Sequence, residues 1–139
     1  MKITLIMLLC LMSCTTADNI VVLRCTVSRV IDGDTFVCKS GDTIRLAGIN
    51  APELDEHYGQ ESYEVLRDII DNEVVWLHIT GKGYYGRTIA YTYYNSIDIS
   101  EHLLRNGYAK YSKYDHRFYD SYISDQRYAE VYQKGIWEY

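Results

Sequence analysis

The sequence predicts an α+β fold, a small closed five-stranded β-barrel with helices packed against its outside. Three observations carry this. Five short β-rich segments run along the chain, with one helical segment set between the third and the fourth. Two more helical segments follow the last strand. The 139 residues are 47% hydrophobic with a single proline, which suits one core and excludes disordered, collagen-like and coiled-coil chains. The formal charge of −5 argues against a protein that holds nucleic acid mainly through a basic surface, and leaves room for an enzyme with a local basic pocket.

Taken in order, residues 20–23, 27–31 and 36–37 are β-rich, and Asp32-Gly33 reads as a two-residue hairpin turn. That register sets Cys38 opposite Val27 and makes Cys25 its diagonal neighbour, about 7–8 Å away and beyond comfortable disulfide reach. Two free thiols are therefore expected, although a longer loop would change the register. Residues 43–47 alternate, which sends Ile44 and Leu46 to one face and Arg45 to the other. Residues 58–71 carry a helical stripe of Val65, Leu66, Ile69 and Ile70. Residues 74–79 form a strand with Val75, Leu77 and Ile79 inward, and residues 88–94 form another. Ser100 reads as the N-cap of a short helix over 101–106, with Ile99 stapled onto Leu104 and Gly107 at the C′ position. Residues 117–134 read as a last helix with a Phe118, Tyr122, Ala129 and Tyr132 stripe. This order suits a barrel of OB type.

Ahead of the barrel, Lys2 and about ten apolar residues read as a secretory signal peptide, too short to span a bilayer as a helix. The stretch ends in Leu11-Met12-Ser13-Cys14, which resembles a bacterial lipobox with Cys14 as the lipidated new N-terminus. The alternative is ordinary secretion with cleavage after Thr15-Thr16-Ala17. Either way residues 1–18 are a targeting segment, residues 19–139 are the domain, and the protein is exported to the cell envelope or beyond it.

Singly, the polar motifs mean little. Asp32-Gly33-Asp34 is a turn, Arg45 a strand arginine, Glu53 a loop carboxylate after Pro52, and Tyr85-Gly86-Arg87 a turn into a strand. The four histidines (His57, His78, His102 and His116) show no zinc-ligand spacing. Fifteen tyrosines mostly fit strand and helix packing, and exposed ones could stack on bases.

Together the motifs are specific. Residues 30–36 (VIDGDTF), 44–53 (IRLAGINAPE), 85–91 (YGRTIAY) and 103–109 (LLRNGYA) occur in this order, closed by 134–137 (KGIW). This arrangement resembles the staphylococcal-nuclease (thermonuclease) family over about residues 20–137. The resemblance implies a five-stranded OB-like barrel with three helices, and a monomeric, calcium-dependent nuclease acting on DNA and RNA and leaving 3′-phosphates. It implies Asp34, Asn50 and the Ala51 carbonyl as calcium ligands, and Glu53 as the base that activates water. Arg45 and Arg87 become clamps on the phosphoryl group, since guanidinium forks match two phosphate oxygens. Tyr85 matches a tyrosine that reaches a nucleotide phosphate. Two departures stand out. Asn50 occupies a position where the family pattern has Asp, so the site loses one formal charge. The family's two base-stacking tyrosines align with Lys113 and Asp115, leaving Tyr111 and Tyr114 as the neighbouring candidates. The other class of function compatible with the chain is a non-catalytic OB-type module of the envelope that binds nucleic acid or a protein partner.

Overall fold

Long β-branched runs at the start of the described chain make one continuous strand rather than two. The computed structural model describes residues 20–113 and 117–139; the targeting segment with Cys14, and Tyr114, lie outside them. Strand β1 (Val21–Asp32) is followed by β2 (Thr35–Cys38), β3 (Thr43–Leu46) and the short β4 (Ile49–Asn50). Helix α1 (Gly59–Ile70), β5 (Val74–Lys82), a 3₁₀ turn (Tyr84–Gly86) and β6 (Thr88–Tyr94) come next. Then follow β7 (Ile97–Asp98), α2 (Ile99–Arg105), β8 (Lys110–Tyr111), α3 (Tyr119–Val131) and a closing 3₁₀ turn (Gly135–Trp137).

The main sheet runs β3-β2-β1-β5-β6-β7. Its consecutive neighbours are antiparallel. A parallel pairing of β3 with β6 (Ile44 with Thr88, Arg45 with Ile89, Leu46 with Ala90) closes five of these strands into a barrel. Closure removes the free edges of β3 and β6. Phe36, Ile44, Leu46, Val27, Val75, Leu77 and Ala90 are buried within one core cluster. Helix α1 packs on β1 through Leu66 and Ile70. Helix α2 packs on β6 and α3, and Tyr91 meets Phe118 and Tyr122 edge to face.

Several expectations are corrected. The hairpin turn is Gly33-Asp34, with Asp32 opposite Thr35. Two bulges on β1 then restore the expected pairing of Val27 with Cys38. Cys25 and Cys38 are joined in a disulfide, with Cα atoms 5.7 Å apart. The bulges sharpen the twist of β1, and the Lys39 amide bonds to the Thr26 carbonyl at 2.8 Å, so the diagonal pair closes well inside the spacing of a flat ladder. The α2 cap is Asp98, whose Oδ1 accepts from the Ser100 and Glu101 amides; Ser100 itself is buried and its hydroxyl donates to the Ala47 carbonyl. The last helix is shorter than its apolar stripe, and Tyr132 beyond its end is 65% exposed. The Gly107 turn does end α2, with φ +75 and the Tyr108 amide returning to the Leu103 carbonyl.

Candidate functional site

The β1–β2 turn delivers Asp34 into a nearly closed environment. Its amide bonds to Asp32 Oδ1 at 3.0 Å, which fixes the turn. Its Oδ1 accepts from the Thr35 hydroxyl at 3.0 Å and its Oδ2 from the Ala51 amide at 2.7 Å. Arg45, projected outward from β3 as the alternation requires, completes the shell with Nη2 3.0 Å from Asp34 Oδ2. The same guanidinium donates to the Asn50 amide oxygen and, through Nη1, to the Leu46 carbonyl at 2.9 Å. Burial pushes the Asp34 carboxyl up to about 6, and the Asp32 charge adds to this; Arg45 and the Ala51 and Thr35 hydrogen bonds pull the other way.

Barrel closure decides what faces Arg45. The β3–β6 pairing brings the start of β6 alongside, so Arg45 and Arg87 line one groove of about 780 Å³ with Asn50, Lys82, Tyr84 and Ser112. Arg87 Nε donates to the Tyr84 carbonyl at 3.3 Å, and its guanidinium carbon lies 6.0 Å from the centre of the Tyr85 ring. Tyr85 is 98% exposed, with φ +60 at the tip of the 3₁₀ turn.

Glu53 is carried by the loop between β4 and α1 and is exposed, on the wall of neither this groove nor the smaller one beyond Asn50 and Ala51. Its backbone is firmly held: its carbonyl accepts from the Glu56 amide and its amide donates to Glu56 Oε2, each at 2.9 Å. Tyr111, paired opposite Ile49, stands edge-on to Tyr119 with ring centres 5.6 Å apart and is not on the wall of the arginine groove, though its neighbours Ile49 and Ser112 are. The described site thus brings Asp34, Arg45, Asn50, Ala51 and Arg87 together and leaves Glu53 and Tyr85 on exposed loops.

Two glycines, of which the sequence marked Gly33 only as a turn residue and Gly59 only as part of a helical segment, set this geometry. A Cβ on Gly59 would sit 1.7 Å from the Glu53 carbonyl oxygen, so only glycine lets α1 start against that loop. A Cβ on Gly33 would sit 2.7 Å from the Cβ atoms of Ala51 and Ser62. In the sequence both read as ordinary turn or helix-start residues; the contact that requires Gly33 comes from distant segments, and the one at Gly59 from the loop just before it.

Among the described residues no group of three or more His, Cys, Asp or Glu side chains is placed to hold a metal. The oxygens next to one another here are a carboxylate (Asp34), an amide oxygen (Asn50, linked to it through Arg45) and the backbone of Ala51, whose amide already binds Asp34. These are hard donors of the type calcium accepts, with a single formal charge from Asp34. Chemically, two guanidinium groups on one groove form an anion clamp suited to a phosphodiester.

Comparison with known proteins gives the family. The family described as staphylococcal nuclease homologue matches residues 43–139. The chain is 34% identical over 118 residues to a Haemophilus influenzae protein named "Uncharacterized endonuclease", covering 81% of this chain and 65% of that one. It is 30% identical over 124 residues to the Thermonuclease of Staphylococcus hyicus, covering 80% and 73% of the two chains. A protein of Oryza sativa subsp. japonica named "Probable staphylococcal-like nuclease CAN3" is 35% identical over 95 residues, 68% of this chain and 25% of its own length. The chain therefore spans just under two thirds of the Haemophilus relative and about a quarter of the rice one.

Proposed function

We propose that this chain, which belongs to the staphylococcal nuclease family, is an exported, calcium-dependent nuclease that hydrolyses phosphodiester bonds in DNA and RNA. The observation that carries the reading is the shared groove, which barrel closure lines with both Arg45 and Arg87, Arg45 being anchored on the buried Asp34. In this reading the two guanidinium groups bind the phosphoryl oxygens and stabilise the charge that grows on them as water attacks. Arg45 is held ready by Asp34 and the Leu46 carbonyl, so its orientation is set before substrate arrives. Glu53 orients the water and takes its proton, from a loop whose backbone is fixed by Glu56 and Gly59. Tyr85 reaches a neighbouring phosphate, and Tyr111 and Tyr114 contact the base. Asp34, Asn50 and the Ala51 carbonyl would hold the calcium ion, which when bound polarises the phosphate as a Lewis acid.

The Cys25–Cys38 disulfide supports export, because such bonds persist in oxidising compartments. Residues 1–18 supply the signal, and Cys14 the site of lipid attachment that tethers the domain to a membrane.

One observation favours a second reading, a non-catalytic envelope module: Asn50 offers an amide where a carboxylate would bind calcium better, and that amide oxygen already accepts from Arg45. Incubating the purified protein with single-stranded DNA and RNA, with calcium and then with chelator, separates the two. Cleavage that stops on chelation supports the nuclease. A folded sample that retains nucleic acid without cutting it in either condition overturns the nuclease and supports the module.

A further inference from the structure

The barrel has one end that its own strands do not finish. Residues 21–26 of β1 pair with β5, while β2 joins the other side of β1 only from Val27. Ile20, Val21, Val22 and Leu23 are consecutive, apolar and each about half exposed, so among the described residues neither face of this strand is fully covered. Trp76, also about half exposed, stands across from Arg24 on β5. Next to the uncovered edge lies a cavity of about 380 Å³ walled by Leu23 and Ile79 and flanked by Arg24, Lys39 and Lys82. Asp42 on the same wall is engaged by the Ser40 hydroxyl at 2.7 Å. On a chain with a formal charge of −5, this end is locally apolar, aromatic and basic.

We propose that this end of the barrel docks onto an anionic lipid surface at headgroup depth, with Ile20 to Leu23 and Trp76 in the interface and Arg24 and Lys39 on the lipid phosphates. The inference rests on the lipid anchoring proposed above. Six residue steps separate Cys14 from Ile20, an extended reach of only about 20 Å, so a lipid on Cys14 brings the membrane to this strand. A tryptophan beside aliphatic residues suits the interfacial layer, and basic side chains near the surface are drawn to anionic lipids. The edge of residues 21–25 that faces away from β5 limits the depth, because the N–H and C=O groups along it need the water of the headgroup layer and would be costly in hydrocarbon. A second copy pairing along the same free edge is the competing occupant.

The test uses the full-length chain, purified from membranes and reconstituted into phosphatidylethanolamine–phosphatidylglycerol vesicles with brominated acyl chains. Of the two tryptophans, Trp137→Phe leaves Trp76 alone and Trp76→Phe leaves Trp137 alone. Docking predicts that the bromolipids quench Trp76 and not Trp137, and that adding Val22→Ser and Leu23→Ser relieves the quenching while acylation of Cys14, read by mass spectrometry, is kept. Acylated protein whose Trp76 is as unquenched as Trp137 overturns the docking alone. Absence of an acyl group on Cys14 overturns the anchoring and the docking with it, and neither outcome bears on DNA cleavage, which is assayed on the same sample. Should Trp137→Phe fail to fold, amide exchange on the unaltered acylated chain replaces it: vesicles should slow residues 21–25, and unchanged exchange overturns the proposal. Slowing accompanied by chemical cross-linking into dimers assigns the edge to a second copy and also overturns it.

Discussion

Within the candidate site the Asp34–Arg45 pair is held by different forces from Arg87 and from Glu53. Asp34 is buried, and every oxygen of its carboxylate has a donor from this chain: Thr35, Ala51 and Arg45. Arg87 and Glu53 sit on loops, and what holds them is backbone: the Tyr84 carbonyl for Arg87, and Glu56 with the Gly59 contact for Glu53. The first arrangement couples function to stability, since removing either partner leaves a desolvated charge. The second separates them, since an exposed loop side chain contributes little to the core. The candidate site thus carries one pair that cannot be altered without loosening the fold and loop residues that can.

The sharpest way to break this contrast is Arg45→Ala. It should abolish cleavage and also cost about 3–5 kcal/mol of stability, the usual result of stranding one partner of a buried ion pair. Urea titration of the two proteins checks the stability arm; an unchanged midpoint would mean that Asp34 is not dependent on Arg45. Arg87→Ala should lose about 10²–10³ in cleavage rate, as for the loss of one preorganised donor to a developing oxyanion. Its thermal midpoint should stay at the parental value. Equal losses of stability in both arginine variants would erase the distinction between the two arginines.

The disulfide sharpens the comparison further. It ties β1 to the end of β2, the hairpin that presents Asp34 at its other end. Replacing both cysteines by alanine should cost about 3 kcal/mol, the expectation for a loop of this length. Catalysis by the protein that remains folded should change far less, which rate measurements well below its melting temperature would show. Asn50→Asp should have the smallest effect. In metal-free protein the added carboxylate near Asp34 should destabilise by about 1 kcal/mol, the scale for like charges at a solvated site. Calcium should then raise the midpoint of the Asp variant more than that of the parent, by binding the folded state. Thermal melts across a calcium titration measure both, and no response in either protein would remove position 50 from any metal site.

Much of this was legible in the residues themselves. The alternation at 43–46 sends Arg45 outward because strand side chains have a period of two, and that holds whatever the strand packs against. The Leu66 and Ile70 face of α1 and the glycine stop after α2 follow equally from local geometry. Ser100 shows where such reasoning fails. Serine and aspartate both make good caps, and the choice fell to Asp98 because the barrel buries Ser100 against the Ala47 carbonyl. The disulfide was missed for a similar reason: the paired register was right, but bulges and twist, which no residue pattern states, shortened the diagonal.

What the sequence determined alone was therefore the helices and the main barrel strands, though not the continuity of β1 or the short strands β4, β7 and β8, together with the side of each strand that each residue faces and the chemistry available: guanidinium, carboxylate and hard oxygen donors. Those properties depend on neighbours within a few residues. What the tertiary structure decided was which of them meet. Arg45 and Arg87 are 42 positions apart in the chain, and they share a groove because β3 and β6 pair in parallel, a contact made only when the whole sheet curls far enough to close. The close approach of Ala51 and Ser62 to Gly33 and the burial that raises the Asp34 carboxyl are likewise products of packing between distant segments, where close approach and exclusion of water have no counterpart in local sequence.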